Sequence, residues 1–203
     1  MRLFYTPGAC SLAPHIVVHE TGLDVEAVKV TLNPPPRVTA KGEDYYTINP
    51  KGAVPALEIS PGEVLTENAI IMQYLASQKP EAKLLPESGL PRYRVLEAAN
   101  FVSTEIHKSF SPIFNPKLTP EWRAGIITNI NNKIGTLEKI LGDKEFLAGA
   151  FSIADAYAYT ILRWADRFEG VVLPPKVAEY RRRVGERPKV KEALEAEGLK
   201  AVA

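Results

Sequence analysis

A single thiol, a Glu-Asn pair at a helix start and a histidine within a polar stripe are the residues of this chain whose types could do chemistry. Cys10 is the one cysteine among 203 residues. It follows Arg2-Leu3-Phe4-Tyr5, which reads as a strand, and Pro7-Gly8, turn residues that cannot continue one. Pro14 is tolerated only in a first helical turn, where its missing N–H has no partner to lose. It therefore places Ser11 as the N-cap, with Gly22 as the stop. Cys10 lies at that helix N-terminus, where free N–H groups and the helix dipole favour an anion and lower a thiol pKa. The alternative is a buried cysteine acting as a small apolar residue. Glu67-Asn68 opens a later helix, whose free N–H groups suit a carboxylate; the same residues also serve as plain caps. Asn100, Thr104 and His107 fall at helical spacing on one face, with Ser103 and Ser111 beside it. Such a stripe is either the wall of a site or a solvated face.

The elements that must position these groups alternate in the first part of the chain. Val28 and Val30 mark a strand over 26–32, Asn33-Pro34-Pro35-Pro36-Arg37 forces a stiff extended loop, and 43–47 suits a short helix. Strands over 54–59 and at 64–65 flank Ser60-Pro61-Gly62-Glu63 as a hairpin, before a helix over 67–78 carrying Ile71, Met72 and Leu75. Residues 80–90 have linker composition, and the remainder reads helical. One helix is expected over 91–108, and a longer one runs from Thr119-Pro120-Glu121 to Leu141. Ser152-Ile153-Ala154-Asp155 resembles a capping box with Asp in the usual Glu position, so Ser152 and Asp155 are assigned a structural role. Losing that cap by Asp155→Ala would cost about 0.5–2 kcal/mol. The architecture expected is an α/β domain at 1–79, a linker, and an all-helical domain at 91–203.

Composition narrows the class. A net charge of +1 supplies no field suited to nucleic acid or an anionic membrane, and no apolar run is long enough to span a bilayer. The N-terminus enters a strand directly, without the pattern of a signal peptide. One cysteine excludes an intramolecular disulfide framework and fits a reducing compartment, so a cytoplasmic protein is expected. Neither a metal-ligand cluster nor a Gly-rich phosphate loop is present in the pattern.

Five stretches carry a resemblance: residues 5–15, Asn49-Pro50-Lys51-Gly52-Ala53-Val54-Pro55-Ala56-Leu57, Leu65-Thr66-Glu67-Asn68-Ala69-Ile70, residues 105–112, and Ser152-Ile153-Ala154-Asp155-Ala156-Tyr157. Together with the ending Ala196-Glu197-Gly198-Leu199-Lys200 they are similar to the bacterial beta-class glutathione transferases, over essentially the whole chain. The resemblance implies a thioredoxin-like domain followed by a helical one. Cys10 would then face the glutathione sulfur and form a mixed disulfide with it. Cys10-Ser11-Leu12-Ala13 has no second cysteine at dithiol spacing, so external glutathione would have to resolve that disulfide.

By the same resemblance Val54-Pro55 is a cis-proline turn presenting Val54 backbone to the cysteinyl unit, where the pair alone reads as a trans proline at an edge strand. Glu67 and Asn68 would hold the γ-glutamyl end, and Arg37 the glycyl carboxylate. Asn100, Thr104, Glu105 and His107 would line or approach the site, some from a partner subunit. His107, titrating near neutrality, and Ser11 would hydrogen-bond sulfur. Tyr5 is read as packing. The activity implied is conjugation of glutathione thiolate to a small hydrophobic electrophile, held by Ile106, Phe110, Phe114 and Trp164. Glutathione is then a co-substrate with no tightly bound cofactor, and the protein a homodimer. The rival activities are a glutathione-dependent thiol-disulfide or dehydroascorbate-type reductase, and a binding scaffold without turnover.

Overall fold

The computed structural model describes residues 1–200; the end of the expected helical domain, 201–203, lies outside the described residues. β1 (Arg2–Tyr5) alternates strictly: Leu3 enters the main core while Phe4 enters a smaller cluster on the opposite face. α1 (Leu12–Thr21) returns the chain to β2 (Glu26–Thr31), which pairs parallel to β1, and Gly22 ends α1 in the left-handed conformation, its N–H on the Val18 carbonyl. A short β3 (Val38–Thr39), absent from the sequence expectation, adds antiparallel to β2. Two residues carry too little periodicity to register as a strand.

α2 (Tyr45–Ile48) leads to the hairpin of β4 (Ala56–Ser60) and β5 (Glu63–Thr66), and the five strands run in the order β3-β2-β1-β4-β5. α3 (Asn68–Ser77) and α1 cover one face of the sheet with Ile16, Ile71, Met72 and Leu75. Tyr45 closes the other face against Phe4, Val28, Val30 and Ala56. The segment 80–90 contains a 3-10 turn, Pro80–Ala82, and buries Leu84 and Leu85 in the main core.

α4 (Gly89–Phe101) does not continue to residue 108 as one regular helix. Val102–His107 is a π-helical segment, followed by a single turn, α5 (Lys108–Phe110), and a 3-10 turn over Ser111–Phe114. π turns are wider than α turns and shift every following side chain around the axis. α6 (Pro120–Leu141) starts on Thr119, whose hydroxyl accepts from Trp122 N–H. α7 (Ile153–Leu162) is buried at every residue and runs through the centre of the helical half; α8 (Pro175–Gly185) packs on it, while α9 (Pro188–Ala196) packs on α1 and α8. Its start is a complete capping box. Asp155 accepts from the Ser152 N–H (2.9 Å) and hydroxyl (2.8 Å), and also from Leu147 N–H (2.9 Å) and Tyr180 Oη (2.8 Å).

Candidate active site

The turn between β1 and α1 is held from three directions. The Ser11 hydroxyl accepts from Thr6 N–H (3.1 Å) and points back at the Thr6 carbonyl (3.3 Å), while the Thr6 hydroxyl donates to the Val30 carbonyl (2.7 Å). The Gly8 N–H donates to Glu197 beyond α9 (2.9 Å), and the Gly8 carbonyl accepts the Trp164 indole N–H (2.9 Å). The other Glu197 oxygen sits 2.9 Å from Nδ1 of buried His15. The last described turns of the chain thus pin the loop that carries the thiol.

Cys10 follows that loop, half-buried, with Sγ donating to the Val54 carbonyl at 3.3 Å. The backbone N–H groups of Cys10 and Ser11 pull its pKa down, as a helix start should, but burial outweighs them and pushes the thiol up to about 12. This corrects the expected neutral-pH thiolate: the position was legible and the desolvation was not. Ser11 is wholly buried and its hydroxyl engaged with Thr6, so only its N–H, not its side chain, bears on Cys10.

Two cavities open beside Cys10 and share Cys10, Ala53 and Val54 in their walls. The first, about 360 Å³, is polar and adds Lys51, Thr66, Glu67, Asn68, Ser103, His107, Lys108, Ser111 and Tyr157. The Val54–Pro55 peptide is cis, as are Asn33–Pro34 and Pro35–Pro36. Lys51 Nζ reaches Glu67 at 2.5 Å and Thr66 Oγ1 at 3.0 Å. Asn68, first residue of α3 and buried, donates Nδ2 to the Cys10 carbonyl (2.9 Å), leaving its Oδ1 without a partner in the protein. The second cavity, about 720 Å³, is walled by Pro7, Gly8, Leu32, Phe114 and Trp164, with Arg37 at its edge. Arg37 donates to the Gly52 carbonyl (2.6 Å). Gly52 has φ +61, and a Cβ there would meet Arg37 Nη1 and the Tyr46 ring at 2.6 Å, so this close approach requires glycine.

His107 stands in the helical wall of the polar cavity, against Trp164 of the second. Its Nδ1 lies 2.7 Å from Tyr157 Oη, and its ring packs edge-on against Tyr157 and Trp164. Burial, with a smaller push from Lys108, lowers its pKa to about 4, so the expected titration near neutrality is corrected to a neutral imidazole. Burial raises Tyr157 to about 12, which keeps its phenol protonated. Phe114 and Trp164 pack edge to face at 5.2 Å, with Phe110 and Phe168 behind them.

Several expected residues are not brought to these cavities within one chain. Asn100 faces a separate surface groove beside Leu90 and Tyr93, and Thr104 and Glu105 face a third hollow against α6, where Glu105 pairs with Lys133. The π segment is the reason: Ser103, His107 and Ser111 share the cleft wall, whereas an unbroken α-helix would align Asn100, Thr104 and His107. Ile106 and Phe110 are wholly buried in the core and line neither cavity. Conversely, Lys51, Ser103 and Tyr157 were assigned no role from sequence. Lys51 lies in the recognisable Asn49-Pro50-Lys51-Gly52 loop, and Tyr157 two residues past the capping box. Among the described residues no group of three His, Cys, Asp or Glu side chains could hold a metal ion, and no helix is long and apolar enough to cross a membrane.

A mixed sheet with a thiol at its first helix N-terminus, faced by a helical bundle, defines a thioredoxin-like domain joined to a helical partner domain. Residues 8–78 match the model of the glutathione S-transferase N-terminal domain and residues 120–183 that of the C-terminal domain. The chain is 42% identical to glutathione S-transferase GstA of Escherichia coli O157:H7, covering 98% of this chain and all of that one. Among solved structures it is similar to a sphingomonad glutathione S-transferase complexed with glutathione (45% identity, TM-score 0.90) and to the beta-class enzyme of Sphingomonas chungbukensis (43%, 0.90). Each comparison covers 98% of this chain and the whole of the other. The chain belongs to the glutathione S-transferase family.

Proposed function

We propose that this transferase binds glutathione in the polar cavity and joins its sulfur to a small hydrophobic electrophile held in the aromatic one. The observation that carries this is the shared wall: the two cavities meet at Cys10, Ala53 and Val54, so a sulfur there faces both. The γ-glutamyl carboxylate fits the N-terminus of α3, where N–H groups converge beside the unpartnered Asn68 Oδ1, which suits the neighbouring ammonium. Glu67 offers a second partner for that ammonium, and Arg37 a partner for the glycyl carboxylate.

The thiolate is stabilised by the α1 N-terminus and by neutral donors. If Tyr157 Oη donates to His107 Nδ1, the His107 proton sits on Nε2 and is available to sulfur. Glutathione loses its proton to solvent, its sulfur pair forms the bond to carbon, and the leaving group departs with the displaced pair. Glutathione enters as a co-substrate. The domain at 1–79 and the helical domain that follows the 80–90 segment both wall each cavity: Ser103, His107 and Tyr157 close the glutathione site, and Phe114, Trp164 and Arg167 close the electrophile site.

Two copies complete the assembly in this proposal. Ile70 on α3 and Leu90 and Tyr93 on α4 are exposed, and Leu90, Tyr93 and Asn100 follow one face of α4. A partner covering that face would bring Asn100 toward the second subunit's glutathione. A lone thiol suits work in the reducing cytoplasm.

Assays of 1-chloro-2,4-dinitrobenzene conjugation and of glutathione-dependent disulfide reduction test the choice of chemistry. Conjugation is expected to dominate, and Cys10→Ala to keep part of it, because the reacting thiol is glutathione's. Reduction dominating, or neither activity with glutathione still bound, would replace the proposal with a reductase or a scaffold.

A further inference from the structure

We propose that the aromatic cavity selects electrophiles bearing a negative charge, with aromatic carboxylates as the substrate class; this rests on the transferase reading of the site. Its walls present Lys29, Arg37 and Arg167 and no Asp or Glu. The whole chain has 25 basic against 24 acidic residues, so this local imbalance is not a property of its surface at large. Among the described residues the ion pairs engage other cations, and none of these three has a carboxylate within 4.0 Å. Two are nonetheless held in place: Arg167 lies over the Phe114 ring at 5.5 Å, and Arg37 over Tyr46 at 5.6 Å while bonded to the Gly52 carbonyl. With Arg37 given to glutathione, Lys29 and Arg167 are left in the same wall as Phe114 and Trp164.

Lys29 and Arg167 are exposed, so a neutral electrophile filling this space gains nothing from their charge, whereas a carboxylate supplies the counter-charge they lack within the chain. A flat ring stacks on the aromatic wall, and a guanidinium fork donates two parallel hydrogen bonds to a carboxylate. Charge and shape therefore select together. The polar cavity differs in carrying a carboxylate, Glu67, which pairs with its Lys51.

The test uses Trp164 as the reporter. The chain has two tryptophans, and Trp122 is exposed on α6, so Trp122→Phe leaves the cavity indole alone. Fluorescence titrations compare 3-nitrobenzoate with 3-nitrobenzamide, matched in shape and different in charge. The benzoate is expected to bind about tenfold tighter, a preference that shrinks in 0.5 M salt as ~3–5 Å screening sets in. Arg167→Gln should remove most of it and Arg167→Lys should restore part. Equal affinities, or a preference that Arg167→Gln leaves intact, overturn the proposal. Conjugation of 1-chloro-2,4-dinitrobenzene is followed in parallel: its presence without charge preference sinks the substrate class alone, and its absence with the preference intact sinks the transferase reading alone.

Discussion

At the scale of single residues the chemistry is governed by desolvation. Cys10 has the helix N-terminus that lowers a thiol pKa, yet burial and a hydrogen bond donated to the Val54 carbonyl favour the neutral form. His107 is likewise driven to neutrality, through loss of the cation. Alkylation of Cys10 by iodoacetamide in the unliganded protein should therefore rise with pH through and beyond 9, toward a midpoint near the thiol value of about 12. A rate that levels off near pH 7 would show a thiolate the structure does not support. Cys10 was legible in the sequence because Pro7-Gly8 and Pro14 bracket it; its environment was not, since Val54, Asn68 and the helical wall arrive from remote segments. Tyr157 was missed for the same reason: its partner, His107, lies 50 positions away.

At the scale of elements, local rules succeeded where the backbone follows them. The α1 boundaries came from Pro14 and Gly22, and the α7 start from Ser152 and Asp155, all of which act within one turn. The stripe on α4 misled because a 3.6-residue period was carried through a π segment, which no local residue announces. Asp155 shows what tertiary structure adds to a cap. Beyond capping α7 it receives Leu147 N–H and Tyr180 Oη, both buried, from segments on either side. Asp155→Ala strands those donors in the core, so it should cost about 3 kcal/mol, above the figure for a cap alone. Urea unfolding checks this: a loss under 1 kcal/mol would mean the network contributes little beyond the cap.

At the scale of the whole molecule, one apolar core runs from the sheet through α7 to α9, and the cleft lies where the sheet edge and the helical wall meet. Fold order was legible from alternation followed by helical periodicity; the cleft was not, because its walls are assembled from both halves. The face carrying Leu90, Tyr93 and Asn100 lies outside the cleft, which fits a second copy covering it. Light scattering should return twice the 22.4 kDa chain mass, and Tyr93→Asp should shift the protein toward monomer. A monomer at all concentrations would leave Asn100 without a role at the site.

The central claim is that glutathione places its sulfur at the junction of the two cavities. A crystal structure of the protein soaked with glutathione measures this directly. The sulfur should lie within about 4 Å of Cys10 Sγ and of the His107 ring, with the γ-glutamyl carboxylate on the α3 N-terminus and the cysteinyl unit along Val54. Glutathione bound elsewhere, or bound in the cleft with its sulfur turned from Cys10 and from the aromatic cavity, would contradict the account.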